Sequence, residues 1–252
     1  MNRPPLWYRS GCLAAFRGNI HGFLGKQAFL PKPDVLWHGA RKLVWMEQVH
    51  GDAIQVVTRA MLTGKESSVR VPRTDGLITN LPGVVLVVRT ADCVPLLALD
   101  PVSHAVACVH AGWKGTARDI QGRLVERFEK DLGVPPRRLI VAIGPHIGPC
   151  CYEIQQDVAS VFHEKGLSGC LEKRNAKIYL DLGMASRLLL ERAGVPSGQI
   201  DTLRLCTRRL HVPFASFRRD GLSGLENASF IVNEKPRESP GFSRGEESGN
   251  LT

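Results

Sequence analysis

Two stretches of the chain are apolar at nearly every position, Val84–Thr90 and Val94–Leu99, and the turn Asp100-Pro101 closes the second. Residues 105–109 form a third such stretch, halted by the glycines of AGWKG. Strands that are apolar on both faces belong inside a sheet covered on both sides. Asp92 and Cys93 fall within this strand region, and His110 ends the third stretch. Ionisable groups there cost free energy unless something binds them.

The remaining pattern is mixed. Residues 41–58 read as strand, loop and strand (RKLVWMEQ, VHGD, AIQVV), and residues 59–73 as a polar loop. TDGLITNLPG is a strand edge carrying two turn signals. Beyond AGWKG, Thr116 is placed to cap a helix whose stripe is Ile120, Leu124, Val125, Phe128 and Leu132, stopped by Gly133-Val134-Pro135-Pro136. LIVAI is a short buried strand opening into GPHIGPCCYEI, too rich in Gly and Pro to be regular. Residues 155–165 and 184–193 are helical, with IYLDL before the second; DTLRLCT is a strand, FASFRRDG a strand or loop, and ASFIVN a last strand. Strands and helices do not alternate as βαβ units, so the expected class is α+β, or else a mixed-sheet layered α/β fold: one domain, residues 1–233, of mixed β-sheets layered with helices. Residues 234–252, without apolar periodicity, are expected to be a disordered tail.

Composition narrows the function classes. A chain of 252 residues, 43% hydrophobic and 23% charged, can bury a sizeable core. No apolar run approaches the roughly 18 residues needed to cross a bilayer. The opening MNRPPLWYRSGCLAAFRGN lacks the apolar stretch of a secretory signal. Seven cysteines, an odd number, suit reduced thiols in a cytoplasmic protein. The net charge of +9 is dispersed and the aromatic content is 6%, with no nucleic-acid-binding signature. A generally basic surface instead favours small anionic substrates such as phosphate.

Candidate chemistry gathers near the apolar strands. His50, Cys93 and His110 each lie at or just beyond a strand end, beside a glycine or a turn. Two imidazoles and a thiolate leave a tetrahedral ion one open position, the arrangement of catalytic zinc. Their spacing of 43 and 17 residues matches no local finger pattern, and a core cysteine with two satisfied histidines is the plainer reading. A third reading makes Cys93 a nucleophile with a histidine base that Asp92 orients. Asp75 is either a turn residue or a polar group facing the site. AGWKGTARD sets Lys114 and Thr116 at a helix start, where N–H groups favour phosphate; a glycine turn packing helix on sheet accounts for it equally well. Arg218 and Arg219 carry forks suited to phosphate or carboxylate, or to surface ion pairs. His146, Cys150 and Cys151 are a weaker metal set, because adjacent cysteines make poor joint ligands, and Cys108 reads as core. Cys12, Cys170, His21, His38, His104, His163 and His211 have no supporting context.

Taken in order, EQVHG, TDGLIT, PGVVLVVRTADCVPLLALD, VACVHAGWKGT, AIGPHIGPCCYEI, YLDL and SFRRDG resemble the laccase-domain family. This family is also called multicopper polyphenol oxidase, and purine nucleoside phosphorylase typified by the YfiH and YlmD proteins. The likeness runs from about residue 41 to 232. It implies a single α+β domain and a zinc or copper site on His50, Cys93 and His110. It further implies phosphorolysis of adenosine, inosine, guanosine and methylthioadenosine, adenosine deamination, or phenol oxidation. The amino-terminal part departs from the pattern: QAFLPKPDVLWHGAR is shorter than the family's loop, Arg41 stands for a helix arginine, and Ala40 replaces an asparagine. His146 occupies the place of a small residue.

A four-copper oxidase needs a larger histidine set arranged in His-x-His pairs, whereas this chain has eight histidines and no such pair. One copper on two histidines and a thiolate remains chemically apt. Phosphorolysis would draw on Lys114, Thr116, Arg218, Arg219 and Arg41 for phosphate. Deamination would need a metal-activated hydroxide and a carboxylate from Asp75, Asp92 or Glu47. The expectation is therefore a cytoplasmic, monomeric zinc enzyme for purine nucleosides, against a copper-dependent phenol oxidase or a non-catalytic metal-binding relative.

Overall fold

The structure is a computed structural model and describes residues 7–27, 42–210 and 213–234. From the amino end come β1 (Trp7–Tyr8), α1 (Gly11–Ala14), β2 (Asn19–Gln27), β3 (Lys42–Met46), β4 (Ile54–Val56), β5 (Ser68–Val71) and β6 (Gly76–Thr79). Next are β7 (Val84–Thr90), β8 (Val94–Leu99), β9 (Val106–Ala111), α2 (Trp113–Ala117), α3 (Ile120–Leu132) and β10 (Ile140–Ile143). Then follow β11 (Glu153–Ile154), α4 (Gln156–Glu164), β12 (Leu171–Arg174), β13 (Lys177–Leu180), α5 (Leu182–Arg192), β14 (Ile200–Thr202), α6 (Phe217–Asp220) and β15 (Glu226–Asn233).

Two six-stranded mixed sheets carry the fold, ordered β1-β2-β15-β7-β3-β5 and β14-β10-β8-β9-β6-β4, with a three-stranded β11-β13-β12 sheet beside them. The side-chain period of two explains why β8 is apolar throughout. Val94, Leu96 and Ala98 pack into the cluster formed with Leu124, Val125 and Phe128 of α3 and Leu190 of α5. Leu97 and Leu99 enter a different cluster with Val44, Met46, Leu86 and Val88 of the first sheet. The second sheet is thus the middle of three layers, helices on one face and the first sheet on the other, and both faces must be apolar. The expected α+β class holds.

Several local expectations change. Residues 59–73 contain β5, paired parallel to β3 with Leu43 against Ser68. Thr116 caps no helix: it lies inside α2, whose N-cap is Gly112. Asp119, in the left-handed region at φ 60°, caps α3 by accepting from the Gly122 N–H. Of DTLRLCT only Asp201 and Thr202 lie in a regular strand, and FRRD is the short helix α6, capped by Ser216. Asp92 and Cys93 occupy the turn between β7 and β8 rather than a strand. Arg41 and residues 235–252 lie outside the described residues; Glu234 is held by its N–H donating to the Gly18 carbonyl. No described helix is long and apolar enough to cross a membrane.

Candidate metal centre

Strand register builds the site. β6 lies antiparallel to β9 with Gly76 against Val109, so Asp75 falls opposite His110. β8 pairs Val94 with Ala111, which carries Cys93 up to Gly112. The loop after β3 brings His50 over the same point. The ligand atoms of His50, Cys93 and His110 all lie within 4.8 Å of one another, and the two imidazoles meet edge to face with ring centres 4.7 Å apart. His110 is 3% exposed, Cys93 half-buried and His50 exposed, so the cluster opens to solvent on one side.

Asp75 holds this arrangement from behind. Its carboxylate, fully buried, accepts from the backbone N–H groups of Val49 (3.2 Å), His50 (3.0 Å) and Gly51 (2.8 Å). It also accepts from Nδ1–H of His110 at 2.8 Å. That bond fixes the tautomer and leaves Nε2 of His110, which interacts with Cys93, as the ligand atom, the usual arrangement behind a metal-bound histidine. Burial pushes the Cys93 thiol up, but His110 and then His50 outweigh it and bring the group down to about 6. Burial likewise disfavours charge on His110, and Cys93 and Asp75 overcome this and raise it. A thiolate and two imidazole nitrogens within reach of one point fit a soft or borderline divalent cation.

Glycines keep the centre open. A Cβ on Gly112 would stand 3.1 Å from Cys93 Sγ and 3.2 Å from His50 Cδ2. One on Gly115 would meet the Gly51 carbonyl at 2.6 Å, so this glycine lets α2 approach the His50 loop. The glycines of AGWKG therefore serve both packing and the site.

The other candidates divide. Asp92 does not orient a histidine. Its carboxylate accepts from Thr207 Oγ1 (2.6 Å) and from the Arg218 N–H (2.8 Å), tying down the carboxy-terminal loop from a residue with φ 90°. A thiol triad would run Cys93–His110–Asp75 instead. Glu47 is paired with Arg70 at 2.7 Å. Thr116 is buried and accepts from Gln121 of α3, which also donates to Ser186 of α5, so its hydroxyl is engaged within the helix layer. Arg219 is spent: its guanidinium donates to Asp220 and to the carbonyls of Thr207, Arg208, Leu210 and Phe214. Lys114 is exposed, its Nζ 5.7 Å from the Trp113 ring centre. Arg218 lies over the Tyr152 ring at 5.1 Å and donates to the Glu153 carbonyl. Cys108 is core, as expected.

Sequence reading missed Tyr152, a buried phenol raised to about 12 by burial and by Cys93; only its position in the CCYEI block marked it. Cys150 and Cys151, read with His146 as a weaker metal set, have sulfurs within 3.5 Å of each other and gather with Cys206, which the sequence reading did not connect to them. His146 stands apart from that set, its Nδ1 bonded to the Gly144 carbonyl.

Residues 34–234 match the family described as "Multi-copper polyphenol oxidoreductase laccase", and the chain belongs to that family. Among curated relatives, a protein of Deinococcus radiodurans named purine nucleoside phosphorylase is 41% identical over 192 residues, covering 76% of this chain and 70% of its own. An adenosine deaminase of an unknown prokaryotic organism is 34% identical over 187 residues, covering 72% and 71%. The match to a Bacteroides thetaiotaomicron purine nucleoside phosphorylase spans 61% of that protein's length. The crystal structure of YlmD from Geobacillus stearothermophilus superposes with a TM-score of 0.80 at 29% identity, covering 93% of this chain and 98% of that one.

Proposed function

We propose that this chain is a zinc-dependent purine nucleoside phosphorylase. Its substrates would be adenosine, inosine, guanosine or methylthioadenosine together with inorganic phosphate, in a cytoplasmic setting. The observation that carries the reading is the convergence of His50, Cys93 and His110 around one point with Asp75 bonded behind His110. The names of the relatives support the substrate class. Zinc is the preferred ion because two imidazoles and a thiolate that leave one open position make the arrangement of catalytic zinc, while eight histidines without a His-x-His pair do not provide for a multicopper oxidase. Bound zinc would supply a Lewis-acid position open to substrate.

The chain's own groups take the remaining roles. Asp75 is a positioning residue, since both of its oxygens are engaged with Val49, His50, Gly51 and His110. Of the cations considered for phosphate, Lys114 and Arg218 keep exposed heads, whereas Arg219 does not. Tyr152 stays protonated at neutral pH and can donate its hydroxyl proton to a substrate atom.

Adenosine deamination at the same pocket is the second reading, favoured by the name of one relative. It requires a carboxylate to carry protons. Asp75, Asp92 and Glu47 are each committed elsewhere, which ranks phosphorolysis first. The test incubates zinc-loaded protein with adenosine or inosine, with and without phosphate. Free base together with ribose 1-phosphate, formed only when phosphate is present, is the expected result. Ammonia without base would make the chain a deaminase. Oxygen uptake with a phenol, or no turnover of any purine nucleoside, would overturn the proposal.

A further inference from the structure

Outside this centre, the chain gathers a second set of soft donors. The Sγ atoms of Cys150, Cys151 and Cys206 all lie within 4.8 Å of one another, the first two 3.5 Å apart. They come from two separately anchored segments. Cys150 and Cys151 occupy a tight turn in which the N–H groups of Cys151 and Tyr152 both donate to the Gly148 carbonyl at 3.0 Å. Cys206 is fixed opposite His146 by a parallel bridge, with His146 N–H donating to Leu205 and Thr207 N–H to His146. The two segments are joined by the Gly148 N–H, which donates to Cys206 Sγ at 3.3 Å. All seven cysteines are described, and all are free thiols.

We infer that Cys150, Cys151 and Cys206 form a second metal site, for a thiophilic d10 cation, monovalent copper or divalent zinc. Triangle geometry permits it. With one edge of 3.5 Å and the others no longer than 4.8 Å, a point equidistant from the three sulfurs lies about 2.6 Å or less from each. A Zn–S bond is about 2.3 Å, so a shift of a few tenths of an ångström brings all three sulfurs to bonding distance. The ligand chemistry differs from that of the first centre: three sulfurs and no imidazole select thiophilic ions. Binding exchanges thiol protons for the cation and releases them to solvent. Positive charge is available in the same cavity of about 960 Å³, which Arg204 and Arg209 line together with Cys150 and Cys206. The cation would therefore sit in the wall of that cavity. Asp92, next to Cys93, bonds Thr207, next to Cys206, so the two centres are also linked through one hydrogen bond.

The test titrates the reduced, metal-free full chain under anaerobic conditions with Cd2+, and separately with Cu+ or Zn2+ against a competing chelator. Bound metal per chain and sulfur-to-metal charge-transfer absorption are read. Two equivalents of Cd2+ are expected. Cys150→Ser, at an exposed position, should remove one equivalent and most of the charge-transfer absorption, whereas His50→Ala should remove the other and leave that absorption largely in place. Cys206→Ser retains an acceptor for the Gly148 N–H and should match Cys150→Ser. Retention of either Cu+ or Zn2+ by the thiol set supports the site and identifies its ion. A single equivalent untouched by Cys150→Ser overturns it, as does a disulfide between any two of the three in reductively purified protein.

Discussion

At the scale of single residues, the site depends on what Asp75 does rather than on which groups could touch a cation. Imidazole and thiol side chains at strand ends are conspicuous in a sequence, but position alone left His50, Cys93 and His110 open between a metal site, a thiol nucleophile and plain core, and it was the family resemblance that implied them as ligands. The role of Asp75 was not legible, because it follows from register: only with Gly76 set against Val109 does Asp75 meet His110. Asp92, nearer to Cys93 in the chain, was the natural sequence guess, and it is turned away to Thr207 and Arg218. Asp75→Asn tests this. An amide nitrogen would confront N–H donors on one side or the other, and the fixed His110 tautomer would be lost. Metal affinity, measured by chelator competition, should fall about 10–100-fold, the usual effect of removing a group that orients a ligand. Unchanged affinity would show that His110 needs no such support.

At the scale of elements, long apolar runs were read correctly and short polar ones were not. β7 and β8 match their sequence limits because burial on both faces leaves no ambiguity of period. α3 was recognised by its stripe but misplaced at its start. Thr116 looks like a cap, yet it turns inward to Gln121, and Asp119 takes the role from a left-handed conformation that aspartate tolerates. β5 escaped notice because SVRV pairs at a sheet edge, where half of its residues face solvent. α6 hid in SFRRDG because four residues give no periodicity. The helix layer is held chiefly through residues such as Phe128, fully buried between α3 and the middle sheet. Phe128→Ala should cost about 3–5 kcal/mol in chemical unfolding, the range for deleting a buried aromatic. A loss below about 1 kcal/mol would mean that α3 collapses into the space and the layer is softer than its packing indicates.

At the scale of the whole molecule, polar links join sheets whose contact is otherwise apolar. One is the candidate metal centre: His50 follows β3 of the first sheet, Cys93 lies where the chain passes from β7 of the first to β8 of the second, and His110 belongs to β9 of the second. The other is at His21 of β2. Its Nε2 accepts from the Ser10 N–H at 3.1 Å, and its Nδ1–H donates to Asn19 Oδ1 at 3.0 Å. Ser10 Oγ in turn donates to Asp201 of β14 at 2.6 Å. These bonds require a neutral imidazole. Burial, with help from Arg9, depresses His21 from its ordinary 6.5 to about 4, and burial also lowers His146. On acidification the unfolded chain therefore binds a proton first. The stabilisation is complete above pH 6.5 and is lost progressively as the pH falls toward 4, by about 3 kcal/mol for His21 alone. Acid also strips metal from its ligands, so the metal-free protein is the proper sample. Its unfolding free energy, measured by denaturant between pH 7 and pH 4, should decline with a slope that flattens in His21→Gln, whatever that variant's absolute stability. An equal slope in the two proteins would assign the acid sensitivity to other groups and remove His21 from the junction between the sheets.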